Sequence, residues 1–312
     1  MNSPMLIAGP TASGKSEIAL RLAEQLGGEI ISADSMQVYR GLDVGTAKPS
    51  AAERARVPHH LIDLCDLTEA FDAAQFARLA KQAVAEIQAR GKLPILCGGT
   101  GLYFKAFLEG VGAAPPADPA LRAELERLPL ATLLVELQER DPVTWERIDR
   151  QNPRRVVRAV EVIRLTGKPF SEQRTPWDPA TGPRGTPNPR FLALLRSNSD
   201  LQNRINARVD AMFRDGLVAE TELLLNRGLA ANPTALQAIG YRQVVEYLRR
   251  PARTTAALAE TVELVKIRTR QFAKRQLTWF RRHGNPTWLE LKPGDSLAAV
   301  AERLARQLKP SL

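Results

Sequence analysis

The sequence predicts an α/β protein with a parallel-sheet core, a helical insertion and a largely helical C-terminal region. Three observations lead there. Strand and helix signals alternate over residues 1–110, the composition changes at the Pro- and Ala-rich run 113–119, and helical periodicity dominates beyond residue 195.

Taken in order, Met5 to Ala8 is a short apolar strand, followed by a glycine-bearing loop and a helix from Lys15 to Leu26. Glu29 to Ala33 reads as a second strand ending at Asp34, and His60 to Leu64 as a third. Phe71 to Arg90 has the helical period, with Asp72 and Gln75 spaced as the two halves of a capping box. Gly91 stops that helix, and Leu93 to Cys97 is a further strand closed by Gly98 and Gly99. Helices are expected over 119–127, 131–140 and 152–166, and the proline-rich run 168–189 as a loop or second hinge. The domain expectation is therefore a first core segment 1–114, an insertion 115–188 and a completing segment 189–312. Phe191 to Leu195 returns to strand character. Helices follow over 200–227, 235–250 and 254–282, then a strand Trp288–Leu291 and a helix Ser296–Leu308.

Composition narrows the function classes. No apolar run approaches the ~20 residues that span a bilayer, and the N-terminus lacks a signal-peptide pattern, so a cytoplasmic protein is expected. Cys65 and Cys97 sit in hydrophobic runs and read as buried free thiols, not as a disulfide framework or zinc site. The net charge of +10 calls for a polyanionic partner. Its location sharpens the point: residues 242–282 hold 11 Lys or Arg against Glu246, Glu260 and Glu263, or 11 − 3 = +8.

The chemistry concentrates in four places. Gly9-Pro10-Thr11-Ala12-Ser13-Gly14-Lys15-Ser16 fits the phosphate-loop pattern and stands between a strand and a helix, as that loop requires. Its N–H groups and the helix N-terminus favour a di- or triphosphate, Lys15 would neutralise the terminal phosphate, and Ser16 would ligate Mg²⁺. No guanine-reading Asn-Lys-x-Asp element is present, and Leu61-Ile-Asp-Leu is a poor match to a strand ending in a metal-binding aspartate. Asp34, opening Asp34-Ser35-Met36-Gln37-Val38-Tyr39, ends the second strand at the same edge, where it can accept a proton or help hold Mg²⁺. Gly98-Gly99-Thr100-Gly101-Leu102-Tyr103 follows the later strand, its glycines permitting close approach and its Thr100 hydroxyl available to an anion or Mg²⁺. Basic residues supply the fourth place. Arg204 and Arg208 share one helix face, able to reach a leaving pyrophosphate or to pair with Asp200 and its neighbours. Between Lys266 and Arg282, the residues Arg268, Arg270, Lys274, Arg275, Arg281 and Arg282 interleave with Phe272, Trp279 and Phe280. Those aromatics fit base stacking and core packing equally.

Together these residues resemble the tRNA dimethylallyltransferase family, the tRNA isopentenyltransferases, nearly end to end. The points of likeness are Gly9–Ser16, Asp34–Tyr39, Val57-Pro-His-His-Leu-Ile-Asp63, Gly98–Tyr103, Asn152-Pro-Arg-Arg155, Arg204–Met212, Gln237-Ala-Ile-Gly-Tyr-Arg242 and Lys274-Arg-Gln-Leu-Thr-Trp-Phe-Arg281. The resemblance implies a P-loop NTPase-like core and transfer of a dimethylallyl group from its diphosphate to N6 of the adenosine 3′ of the anticodon, position 37, in tRNA. It further implies dimethylallyl diphosphate at Gly9–Ser16 with Arg208 on its pyrophosphate, and Asp34 as general base; Mg²⁺ is the expected cofactor and a monomer the expected state. Thr100 would contact substrate at the active centre, and Arg122 the flipped-out target region. tRNA would meet Asp34, Ser35, Met36 and Gln37; Gln151, Asn152, Pro153, Arg154 and Arg155; Gln237, Ala238, Ile239, Gly240, Tyr241 and Arg242; and Lys274, Arg275 and Arg281. With two cysteines and without the zinc-finger extension of eukaryotic relatives, the short bacterial form is expected. A small-molecule or nucleotide kinase leaves the +8 stretch without purpose. A nucleic-acid-dependent ATPase lacks its metal-binding aspartate, and a non-catalytic RNA-binding protein leaves Lys15, Asp34 and Thr100 unexplained.

Overall fold

The computed structural model describes residues 3–173 and 188–308. These fall into two units, one made of 3–108 with 188–308 and the other of 109–173. The sequence reading draws the first break at 115 instead.

The larger unit is built on six parallel strands: β1 (Met5–Ala8), β2 (Gly28–Ala33), β3 (His59–His60), β4 (Leu93–Gly98), β5 (Asn188–Arg196) and β6 (Pro286–Leu291). They lie in the order β3-β2-β4-β1-β5-β6. Its helices are α1 (Lys15–Leu26), α2 (Ala51–Arg56), α3 (Ala73–Ala89) and α4 (Gly101–Glu109), whose last residue opens the second unit, then α10 (Asn198–Arg214), α11 (Leu217–Asn226), α12 (Tyr241–Leu248), α13 (Thr255–Arg282) and α14 (Leu297–Leu308). The smaller unit holds α5 (Pro119–Leu125), α6 (Leu130–Arg140), α7 (Pro142–Arg147), α8 (Pro153–Thr166) and α9 (Phe170–Gln173).

Both sheet faces are covered, which is why the strands read as unbroken apolar runs. Alternate side chains go to opposite faces. Met5, Ile7, Ile95 and Leu194 pack under α1 and α14 through Ile18, Leu22, Ala301 and Leu304. Leu6, Ala8, Ile31, Leu96 and Phe191 meet Phe76 and Ala80 of α3, Phe104 of α4 and Phe280 of α13. Phe280 is therefore core, and the choice left open for it settles on packing. The smaller unit has its own core of Leu125, Leu133, Leu137, Val156, Val160 and Ile163.

Local chemistry sets most element ends. Asp72 forms the expected capping box with Gln75 at the start of α3. Three expectations need correction. The third strand is only His59–His60, because Leu61 and Asp63 take positive φ (61° and 55°) and turn the chain out of the ladder. The helix expected over 200–227 is two, broken where Gly216 (φ 100°) ends α10 and starts α11. The helix expected over 235–250 begins only at Tyr241, after Gly240 (φ 98°). Most of the proline-rich run 168–189 lies outside the described residues, although Phe170–Gln173 is helical. Among the described residues no helix is long and apolar enough to cross a membrane.

Candidate active site

Strand order and register bring the three sequence motifs together. β4 lies between β2 and β1, with Gly98 level with both Ala33 and Ala8. The next residues, Asp34, Gly99 and Gly9, therefore leave the sheet side by side at its carboxyl edge, where open α/β sheets bind ligands.

The loop 9–16 is shaped by backbone conformations that favour glycine. Gly14 (φ 99°) is the N-cap of α1 and Gly9 has φ 156°; a Cβ on Gly9 would crowd Ser13 Oγ at 3.0 Å. The loop is also braced from outside by its carbonyl oxygens. Arg196 Nε donates to Ser13 O (2.8 Å) and Arg204 Nε donates to Ala12 O (2.8 Å). With carbonyls held outward, neighbouring N–H groups are left to line the concave side. Arg204 thus braces the loop, while Asp200 pairs with Arg196 (2.6 Å) and not with Arg204.

A cleft of about 440 Å³ opens beside the loop, lined among others by Ala12, Gly14, Lys15, Ser16, Arg204 and Arg208. Lys15 Nζ donates to Pro10 O (3.2 Å), and Arg208 Nη2 donates to Thr46 O (3.3 Å), leaving the buried Arg208 Nε without a partner. Burial pulls the pKa of both cations below the ordinary value; Arg208 adds to the effect on Lys15, while Asp34 opposes it at both. Neither cation pairs with a carboxylate among the described residues. A desolvated, unpaired cation pair is costly until an anion arrives. Cys97 is a buried free thiol beside Lys15, and burial pushes it up to about 11, so it stays protonated.

Asp34 and Thr100 stand in the loops that follow β2 and β4 at the same sheet edge. Asp34 Oδ1 accepts from the N–H groups of Met36 (2.9 Å) and Gln37 (3.4 Å), which fixes the carboxylate and leaves Oδ2 for chemistry. Thr100 Oγ1 accepts from Ser35 N (3.1 Å), and Thr100 N donates to Ala33 O (3.2 Å), tying the two loops together. Gln37 faces inward: its Oε1 accepts from Ser32 Oγ (2.8 Å) and its Nε2 donates to Thr46 O (3.3 Å). The nearest sequence match to a metal-binding aspartate, Asp63, is engaged by Lys48 (2.6 Å) and Arg54 (2.7 Å).

The basic residues divide. On α13, Lys274, Arg275 and Arg281 are exposed, Arg275 lying 5.8 Å from the Phe272 ring centre, while Trp279 packs beside Gly101. Gln237 and Arg242 are exposed and Ile239 is half-buried, but Ala238 and Tyr241 are core side chains. The Tyr241 hydroxyl donates to Glu220 and accepts from Gly45 N (3.0 Å), and Glu220 also accepts from Val44 N (3.0 Å). These bonds shape the 44–47 turn, whose Thr46 carbonyl holds Arg208 and Gln37. In the smaller unit, Gln151, Pro153, Arg154 and Arg155 are exposed at the start of α8, with Asn152 half-buried as its N-cap. Arg122 donates to Glu161, which is buried and shared with Arg158.

Sequence reasoning missed Gln276, Glu220, Thr46 and Arg196. For Gln276 a signal existed, since it is one amide on the stripe Ala273, Leu277, Phe280 that the helical period turns inward. The glycines of 98–101 are expected from sequence to permit close approach. At two of them the structure shows protein side chains as what approaches: a Cβ on Gly99 would lie 2.2 Å from Gln276 Nε2, and one on Gly101 2.3 Å from Trp279.

The chain is similar to known proteins along most of its length. A family model for IPP transferase matches residues 37–283. The tRNA dimethylallyltransferase of Geobacter sulfurreducens is 45% identical over 302 residues, covering 95% of each chain. That of Halorhodospira halophila is 48% identical over 289 residues, 90% of this chain and 91% of the relative. Among solved structures, the full-length tRNA isopentenylpyrophosphate transferase of Bacillus halodurans is 38% identical with a TM-score of 0.69, covering 99% of this chain and 98% of the other. A eukaryotic dimethylallyltransferase acting on tRNA is 27% identical with a TM-score of 0.76, covering 100% of this chain and 79% of the other. The phosphate loop, the Asp34 turn and the Thr100 loop meet on one sheet edge, and the matches run the length of the chain: it belongs to the IPP transferase family, with the tRNA dimethylallyltransferases.

Proposed function

We propose that this protein transfers the dimethylallyl group of dimethylallyl diphosphate to N6 of the adenosine 3′ of the anticodon (position 37) in tRNA, releasing pyrophosphate, as a cytoplasmic monomer. One observation carries the reading: Lys15 and Arg208, two cations without acid partners, line one cleft beside the 9–16 loop, and both feel the charge of the nearby Asp34 carboxylate.

The diphosphate enters the 9–16 loop, where N–H groups, Lys15 and Arg208 offset its charge. The N6 lone pair forms the new bond to C1 as the C1–O bond breaks, and that bonding pair leaves on pyrophosphate. Lys15 and Arg208 stabilise the charge as it develops there. The amine gives up a proton as it is alkylated, and Asp34 Oδ2 accepts it, its partner oxygen being held by Met36 N and Gln37 N. The adenine leaves its stack to reach that carboxylate. The outer face of α13, with Lys274, Arg275 and Arg281, offers cations to the RNA backbone.

The donor set fits Mg²⁺ as a companion of the substrate. Among the described residues no cluster of three His, Cys, Asp or Glu could cage a metal, but Ser16 presents an exposed hydroxyl at the start of α1. Mg²⁺ bound mainly by diphosphate oxygens and water needs little more than that hydroxyl, and it would neutralise the leaving group.

The test is mass spectrometry of nucleosides from unmodified tRNA incubated with the protein, Mg²⁺ and either dimethylallyl diphosphate or ATP. Dimethylallyl-adenosine with the prenyl donor alone is expected. ATP turnover without that product would restore the kinase reading.

A further inference from the structure

Helix α13 turns Lys274, Arg275 and Arg281 outward, while its inner face buries Ala273, Leu277 and Phe280. In that apolar stripe sits Gln276, 6% exposed. Its Oε1 accepts the Thr11 N–H at 2.9 Å, and its Nε2 donates to the Gly99 carbonyl at 2.9 Å. One amide therefore bridges the phosphate loop and the residue that precedes Thr100. The seat is built for it, because any side chain on Gly99 would occupy the place of Nε2. Leucine or methionine would pack there without desolvating an amide, so the two hydrogen bonds are what a glutamine adds.

We infer that Gln276 is a positioning residue for the diphosphate, setting the Thr11 peptide and the Gly99–Thr100 loop at a fixed separation. This rests on reading residues 9–16 as the diphosphate site. With the Thr11 N–H held by Gln276, the Thr11 peptide cannot rotate, and the later N–H groups of the loop keep their inward direction. Thr100, one residue after Gly99, is held in step and keeps its bond to Ser35 N beside Asp34. Because Gln276 rides on α13, the shape of the phosphate loop follows the seating of the helix whose outer face is cationic.

The experiment compares the full-length protein with Gln276→Met and Gln276→Glu. It uses calorimetric titration with Mg²⁺ and pyrophosphate, together with transfer kinetics that separate the KM of the prenyl donor from that of the RNA. Methionine keeps the volume and removes both bonds. Glutamate keeps an acceptor for Thr11 N but sets a carboxylate against the Gly99 carbonyl, and its protonated form restores both bonds. In Gln276→Met, pyrophosphate Kd and donor KM should rise about tenfold while the RNA KM holds. Gln276→Glu should match that loss near pH 8 and regain affinity relative to wild type as the pH falls toward about 6, which Gln276→Met should not do. An unchanged pyrophosphate Kd in both variants, with only a lower melting temperature, would overturn the inference and leave Gln276 as packing. Equal losses for donor and RNA would overturn it too. Failure of the wild-type protein to bind pyrophosphate would instead refute the diphosphate reading itself.

Discussion

A few arginines in each unit are put to opposite uses. In the smaller unit, Arg122 and Arg158 converge on Glu161, which is 0% exposed, and Arg164 pairs with Glu136 (2.7 Å) and Glu124 (3.0 Å). In the larger unit, Arg204 and Arg208 donate to carbonyl oxygens, and the half-buried Arg208 keeps its buried Nε unpaired. A guanidinium with a carboxylate beside it is internally satisfied and serves the fold. One that faces carbonyl oxygens keeps its charge uncancelled, which suits the diphosphate proposed for the cleft. Position along the chain distinguishes neither group; the partner does.

That contrast can be broken or sharpened, and the largest effect is expected at Asp34. If Asp34 is kept for a proton and not for an ion pair, Asp34→Asn retains the turn and lowers the transfer rate by roughly 10²–10⁴. RNA affinity and melting temperature should stay near wild type; a collapse of either would make Asp34 structural. At Glu161 the opposite holds. Glu161→Ala strands two arginines against a buried site and should cost about 3–5 kcal/mol in the smaller unit, read as lost protection in hydrogen exchange. Retained protection would mean the pair is not what holds that unit.

Next comes Arg208→Met, which should raise the donor KM by about 10–100-fold, the worth of a charge-assisted hydrogen bond. Stability should hold or increase, because an unpaired buried cation has gone; a fall in melting temperature would place Arg208 with the structural arginines. Removing charge at Lys274 and Arg275 together should weaken tRNA binding and lower its log–log salt slope by about 1–2. An unaltered slope would take those residues off the RNA.

The smallest expected effect is a pH dependence. Burial lowers the Lys15 pKa, so its ammonium is lost as pH rises through that depressed value. Donor affinity should therefore fall at a pH below the ~10.4 of an ordinary lysine. Folding stability moves the other way: the penalty for burying the charged form is present below the folded-state value and is relieved as pH rises through it. A donor affinity flat to pH values above that of a free lysine would remove Lys15 from the charge balance.

Much of this was legible because it is local. The phosphate loop is recognisable from eight residues, since Gly9 and Gly14 supply conformations that other residues adopt at a cost. The Asp72–Gln75 capping box needs only a spacing of three. Strand positions in the core follow from apolar runs, and the nearly end-to-end likeness to a known family was legible in the motifs themselves. Breaks at Gly216 and Gly240 were missed because periodicity continues across them, and the turn at Leu61 and Asp63 because an apolar run there imitates a strand.

Sequence alone was enough for the eight-residue loop pattern between β1 and α1, the places of Asp34 and Thr100 after their strands, the parallel α/β class and the basic C-terminal segment. Those depend on dihedral preferences and spacings within a few turns of chain. Only the tertiary structure decided which partner each polar group meets. It set Gly98 level with both Ala8 and Ala33, buried Tyr241 against Glu220, and bonded Gln276 to Thr11 across 265 positions of sequence. It also left Arg208 short of a partner while completing Arg122. Such choices come from packing two sheet faces at once, where a side chain's neighbours are fixed by layer and register and not by its place in the chain.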